Sequence, residues 1–252
     1  MEKKYIETFI KKYTLGGSIE GVHWINENGD LIATAMTTDR KLFAHVTLDK
    51  GAGWFSGVEI GIQKTTKLKK MLGVLSDSIN LSLDIDDSNP TRRVRQIIAE
   101  NADGKVYINY TTAALNILDP VPKMKNIPPF TVDITMSEDF INSFNAGFSA
   151  LGDDATSFTL IMSKKKQKLE MVLGYKQNLG DRVTLEVATT PGKDVVKAPI
   201  SFDAKLLKEI LSANSEVKNP TLQISEGGLA SIAFAQDSFK SQYYMIKIDV
   251  ED

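Results

Sequence analysis

The 252-residue chain contains no cysteine, which excludes a disulfide framework, a thiolate zinc site, an iron–sulfur cluster and a cysteine nucleophile. Histidine is almost as scarce. His23 and His45 both fall in stretches that read as strands beside apolar residues, the setting of a packed or surface imidazole, and a two-histidine zinc site would need carboxylates that the sequence does not place. Long hydrophobic runs are missing too: nothing approaches the roughly 18 apolar residues of a membrane span, and Met1-Glu2-Lys3-Lys4 is not the start of a signal peptide. The expectation is a soluble, cytoplasmic protein with no membrane partner. Nor is there an excess of one charge. Thirty Lys and Arg stand against 32 Asp and Glu, a net charge of −2, with 42% hydrophobic and 25% charged residues, so wholesale disorder and a uniformly basic coat are both ruled out.

The motifs of catalysis are absent as well. Gly51-Ala52-Gly53 lacks the third glycine of a dinucleotide loop, Gly16-Gly17 is not followed by the Lys and Ser or Thr of a phosphate loop, and there is no G-x-S-x-G elbow. Asp84, Asp86 and Asp87 begin like a calcium loop, but position six is Asn89 where glycine is needed, and position twelve is Arg95 where a bidentate Glu belongs. They read as a solvated strand end and turn. A metal-dependent nuclease or phosphatase using these three aspartates is the remote enzymatic alternative. No catalytic residue, metal or cofactor is expected.

What is present is an internal repeat. VEIGIQKTTKLKKMLGVLSDSINLSLDID runs as an alternating stretch, a helical stretch and another alternating stretch, and APISFDAKLLKEILSANSEVKNPTLQISE repeats that order. Ile200 and Phe202 answer Ile60 and Ile62, while Leu206, Ile210 and Leu211 answer Leu68, Leu72 and Leu75. A tyrosine-bearing strand follows each copy, near Tyr107 and Tyr243. Ahead of each copy lies a helix: Tyr5 to Tyr13, with Ile6, Phe9, Ile10 and Tyr13 on one face, and Ser137 to Leu151, with Phe140, Phe144 and Leu151 inward and Ser137 as N-cap. Hairpins follow, one turning at Asn28-Gly29 and one at the Lys164 to Lys166 run. Four of the eight prolines, Pro120, Pro122, Pro128 and Pro129, interrupt the segment between the halves. The sequence thus predicts an α+β protein of two similar domains, 1–113 and 130–252, each of two helix-plus-antiparallel-strand units, joined by a connector over 114–129. That connector is either an ordinary packed linker or an extended strap lining a partner groove.

Helical projection then separates the charges. With the apolar faces buried, Lys4 and Lys11 point away from the sheet, with Lys12 on the flank. Lys70 points outward between Lys67 and Lys69, and Lys205 and Lys208 project from the fourth helix. A solvated face is the ordinary reading of such a set. Its recurrence at matching positions of a repeat, against the overall net charge, points instead to a polyanion. The third helix breaks the pattern, with Asn142, Ala146 and Ser149 outward.

These features together resemble the DNA sliding clamps of the two-domain type, the proliferating-cell nuclear antigen of cells and the clamps of T-even-like phages. Gln242-Tyr243-Tyr244-Met245-Ile246-Lys247-Ile248-Asp249-Val250-Glu251-Asp252 is similar to the cellular clamp's final strand and acidic tail, without its usual proline, and Val58 to Leu83 resembles the family's second helix unit. The resemblance implies a DNA-clamp fold with helices inside and sheets outside, and a homotrimeric ring on double-stranded DNA that is read without sequence preference. It implies a non-catalytic processivity factor that tethers the replicative DNA polymerase and is placed by a clamp loader. A monomeric processivity factor of related fold is the alternative. The short N-terminus implies a first strand that is brief or displaced, and with the extra connector prolines it favours a divergent, phage-encoded member, which would work in the host cytoplasm. The DNA-facing set would be Lys4, Lys11, Lys12, Lys67, Lys69, Lys70, Lys205 and Lys208. A partner peptide would sit on Tyr244, walled by Leu229 and Ala230 and closed by Leu115, Ile117 and Leu118.

Overall fold

The computed structural model describes residues 1–88, 92–120, 126–163, 167–176 and 180–249. Asn89, the connector residues Val121 and Pro122, the Lys164 to Lys166 turn and the terminal residues 250–252 lie outside the described residues. The chain divides into two units, the first formed by residues 1–37, 44–123 and 235–241 and the second by 38–43, 124–234 and 242–252. Each unit is therefore completed by a short segment from the other half of the sequence.

The first unit starts with α1 (Lys3–Thr14), whose Ile6, Phe9, Ile10 and Tyr13 are buried at the expected helical spacing. The helix ends where Leu15 turns left-handed (φ 45°) and its N–H is donated to the Lys11 carbonyl. A sheet in the order β4-β1-β2-β3 follows, from β1 (Val22–Glu27), β2 (Asp30–Met36), β3 (Leu42–Leu48) and β4 (Ile60–Ile62). Asn28 and Gly29 both have positive φ, 56° and 94°, as a two-residue turn matched to strand twist requires. Next come α2 (Thr65–Leu72) and the antiparallel sheet of β5 (Ile79–Asp86), β6 (Arg93–Asn101) and β7 (Tyr107–Thr111). Leu68 and Leu72 are buried in α2, and Leu75 packs from the turn after it, while Met71 is only half-buried.

The second unit repeats this plan. It has β8 (Phe130–Thr135), α3 (Glu138–Leu151), β9 (Ser157–Met162), β10 (Leu169–Leu173), β11 (Val183–Glu186), β12 (Ala188–Asp194), β13 (Ile200–Asp203), α4 (Ala204–Ala213), β14 (Thr221–Ser225), β15 (Leu229–Gln236) and β16 (Phe239–Ile246). One sheet runs β11-β10-β9-β13 and the other includes β12-β8-β14-β15-β16. Both helices are capped by side chains: Phe140 N–H donates to Ser137 Oγ at 3.2 Å, and Leu206 N–H to Asp203 Oδ1 at 3.0 Å. Phe158 stacks on Phe202 at 5.4 Å and meets Phe144 edge-on at 6.4 Å, so the helix, hairpin and crossover strand share one aromatic core.

The repeat extends to single bridges. Gly61 of β4 pairs with Ala113, and Ser201 of β13 pairs with Ile248. The halves differ at their beginnings. β8 pairs with β14 from Thr135 to Phe130, whereas the matching place in the first half holds one bridge, Glu2 with Ser78 at the start of β5. The α+β architecture of two similar units, each with two helices and antiparallel sheets, agrees with the sequence reading.

Candidate functional site

A hydrogen-bonded chain sets α1 against α2. Trp24 Nε1 donates to Tyr13 Oη at 3.2 Å, Tyr13 donates to Thr65 Oγ1 at 3.4 Å, and Thr65 donates to the Glu20 carbonyl at 2.8 Å. Burial pushes the Tyr13 phenol well above its ordinary pKa, which keeps it protonated as the donor this chain needs. The two helices so fixed expose Lys4, Lys11, Lys67, Lys69 and Lys70. Lys64, at the α2 N-cap, is exposed as well. The sequence reading missed it because it stands one residue before the helix. Lys4 pairs with Glu2 at 2.6 Å.

Lys12 departs from expectation. It is 1% exposed, with its ammonium 5.5 Å from the Phe239 ring. Projection placed it on the flank, and that flank is covered by the 235–241 segment, where Phe239 also stacks on Tyr5 at 6.3 Å. It is not available to an external polyanion and leaves the candidate set.

In the second unit, Lys205 is exposed and Lys208 is half-buried, its ammonium 4.4 Å over the Phe148 ring. Asn142, Ala146 and Ser149 of α3 are exposed. A cleft of about 410 Å³ between α3 and α4 is lined by Asn142, Asn145, Lys208, Ser212, Ser215 and Lys218 among others.

The residues assigned to a partner pocket separate by burial. Leu115 and Ile117, on a 3₁₀ turn of the first unit, are 38% and 58% exposed. Leu118 is buried and packs over Gly21 and Gly61, so it anchors the turn instead of facing a ligand. In the second unit Ala230 is fully buried, paired with Ile224 within the sheet, and cannot wall a pocket. Tyr244 is half-buried with its ring 6.1 Å from Phe43, whereas Tyr243 belongs to the core and accepts a hydrogen bond from Asn214 Nδ2 at 3.0 Å. Leu229 is half-buried. A cleft of about 200 Å³ that the sequence did not signal lies beside this strand, lined by Val195, Val196, Ala198, Pro199, Ile224 and Lys247 among others.

The three aspartates do not converge. Asp84 accepts from Arg95 at 2.9 Å, Asp87 accepts from Arg92 at 2.8 Å, and Asp86 accepts from Ser88, which holds its carboxyl below the usual range. Among the described residues no three metal-ligating side chains form a group. His23 Nδ1 lies 3.5 Å from Glu59, and His45 Nδ1 lies 3.0 Å from Thr34 Oγ1.

Among the described residues, β7, β11 and β12 each end a sheet with one side open. Within that set β7 pairs with β6, β11 with β10 and β12 with β8. In the second unit Ile246 N–H donates to the Lys41 carbonyl at 2.9 Å, and in the first Asp49 N–H donates to the Ser238 carbonyl at 2.8 Å.

No protein-family model and no curated protein matches the chain. Solved structures do. Proliferating cellular nuclear antigen from Entamoeba histolytica is similar at a TM-score of 0.70 and 17% identity, over 98% of this chain and 96% of that one. The structure of the C-terminal region of FEN-1 bound to A. fulgidus PCNA is similar at a TM-score of 0.68 and 12% identity, over 100% and 98%. The chain has the PCNA-like DNA-clamp fold. No helix among the described residues is long and apolar enough to cross a membrane.

Proposed function

We propose that three copies of this chain close head to tail into a ring on duplex DNA and serve as a non-catalytic sliding clamp, a processivity factor that a loader places and a DNA polymerase uses as its tether. The observation that carries this reading is the open side of β7 in the first unit and of β11 in the second. By the internal repeat, β7 stands where β16 stands and β11 where β3 stands. β7 ends a sheet of the first unit and β11 a sheet of the second, so β7 of one copy and β11 of the next can pair edge to edge between chains. Such a contact is heterologous and closes a ring when its rotation permits, and it removes two edges that otherwise invite aggregation. Tyr107 on β7, 65% exposed, would be covered.

The exposed lysines supply the second support. Ammonium-to-phosphate contacts hold a duplex without reading bases, which leaves a ring free to slide. Three copies at −2 each carry −6 in total, so the basic helix faces are a local exception on an acidic assembly. For the polymerase, the reading is an apolar and aromatic peptide on the C-terminal strand of the second unit, at the half-buried Tyr244. Leu115 and Ile117 are the connector's exposed candidates.

Static light scattering at micromolar concentration tests the ring. A trimer of 27.8 kDa chains is expected, and a sharp monomer at high concentration would replace the ring with a processivity factor that lies on DNA without encircling it. Leu115→Ser with Ile117→Ser should weaken binding of the cognate polymerase's C-terminal peptide in calorimetry while the trimer persists. Cleavage of duplex DNA with magnesium or manganese, lost on Asp84→Asn, would revive the nuclease alternative.

A further inference from the structure

The two units do not share the basic surface equally. On α2 and its cap, Lys64, Lys67, Lys69 and Lys70 are all exposed. The helix TTKLKKML contains no acid of its own, the Glu20 carboxylate accepts from the Thr66 N–H in its first turn at 2.9 Å, and none of the four ammonium groups forms an ion pair among the described residues. Lys11 adds a fifth exposed charge from α1, which Tyr13 and Thr65 hold against α2.

The second unit presents something else. Its α3 opens with Glu138 and Asp139 and carries no basic residue at all. Of the cations nearby, Lys218 lies 3.9 Å from Glu138, and Lys208 is half-buried over Phe148. Only Lys205 stands out freely, one turn before Glu209. The cleft between α3 and α4 places the uncharged polar groups Asn142, Asn145, Ser212 and Ser215 beside Glu138, Lys208, Lys218 and apolar residues.

We infer that the phosphate backbone is held by the first unit, above all by α2, and that the second unit meets the duplex through neutral hydrogen-bonding side chains. This rests on the clamp reading. The physical distinction is counterion release. A lysine that neutralises a phosphate displaces a condensed cation and contributes to the salt dependence of binding, whereas an amide or hydroxyl donor fixes position without that contribution. Lys208 would give up its aromatic contact to reach a phosphate. The free lysines of α2 give up only rotamer freedom. In an assembly of several copies, a strongly held patch therefore recurs once per chain, separated by a surface that touches DNA with little charge.

The experiment uses the full-length protein and a fluorescein-labelled linear duplex, with affinity measured by anisotropy across a sodium chloride series. The variant Lys64→Gln, Lys67→Gln, Lys69→Gln, Lys70→Gln should flatten the slope of log affinity against log salt by about two to four units, at about 0.9 unit for each phosphate that is no longer neutralised. Lys205→Gln with Lys208→Gln should flatten it by less than about one unit. Exposed Lys-to-Gln changes leave the core untouched, and matching thermal melts would exclude misfolding. Equal flattening per residue in the two variants, or an unchanged slope in the fourfold one, would overturn the division while leaving duplex binding standing. A wild-type protein with no salt-sensitive affinity for duplex would overturn the division and the clamp reading together.

Discussion

Gly61→Ala is a small change with a large expected effect. The added methyl would lie 2.6 Å from the Ala113 carbonyl oxygen and 3.2 Å from Leu118 Cδ1. The first contact is with backbone, so relief requires the Ala113 strand end to move, and the hydrogen bond from Ala113 N–H to the Gly61 carbonyl at 2.8 Å moves with it. Losing that bond costs about 1 kcal/mol. Displacing Leu118 forfeits part of the roughly 2–5 kcal/mol that a buried leucine contributes. The glycine's own unfolded-state entropy returns about 0.5–1 kcal/mol on substitution. The net destabilisation is about 2–3 kcal/mol, or roughly 5–10 °C in melting temperature for a chain of this size. Trp24 and Trp54 both belong to the first unit, so tryptophan fluorescence during urea or thermal unfolding reads the affected region. At the matching position of the repeat the chain already carries a side chain, Ser201, whose hydroxyl lies 2.8 Å from Thr159 Oγ1. Ser201→Ala introduces no backbone clash and should cost only the about 1–3 kcal/mol of leaving the buried Thr159 hydroxyl without that partner. A Gly61→Ala protein melting within about 1 °C of wild type would refute the claim that Leu118 and Ala113 are seated on a bare glycine.

Three further outcomes follow from the geometry. Tyr13→Phe leaves buried Trp24 Nε1 without its acceptor and should destabilise by about 1–3 kcal/mol in chemical denaturation; no measurable loss would mean that water replaces the hydroxyl. His45 is held below its ordinary pKa, chiefly by burial and against the opposing pull of Glu27. The unfolded chain therefore takes up this proton first, and stability should be intact above about pH 6.5 and fall as the solution is acidified below it. His45→Gln should shrink the difference in melting temperature between pH 7 and pH 5.5, and an unchanged difference would assign the acid sensitivity elsewhere. Asp203→Ala removes the acceptor for the Leu206 N–H at the start of α4 and should cost about 0.5–2 kcal/mol by thermal melting, whereas Asp203→Ser should recover most of it.

The repeat was legible because it is written in buried positions. Ile6, Phe9, Ile10 and Tyr13 announce α1, and Phe202 answers Ile62, because burial selects apolar residues at fixed spacing. Asn28-Gly29 and the Ser137 cap were legible for an equally local reason, since turn and cap geometry select residue type directly. What escaped is non-local. Lys12 reads as a flank residue on its own helix and is buried only because Phe239, from the far end of the sequence, covers it. Ala230 and Leu118 look like pocket residues by position, yet one lies inside a sheet and the other under a turn. The cleft beside Lys247 draws on β8, β14 and the loop after β12, segments that share no pattern in the chain.

The duplication also separates what the fold requires from what each half is free to vary. Leu68 and Leu72 in α2 and Leu206 and Ile210 in α4 are all buried, so the inward face is held to apolar residues in both copies. The outward faces have no such constraint and have diverged: α1 exposes Lys4 and Lys11, while its counterpart α3 exposes Asn142, Ala146 and Ser149. Packing would tolerate lysine at the α3 positions as readily as at those of α1. Its absence there, and the absence of acids from α2, are not consequences of folding. They are where a ligand, acting on one unit more than the other, can have shaped the sequence.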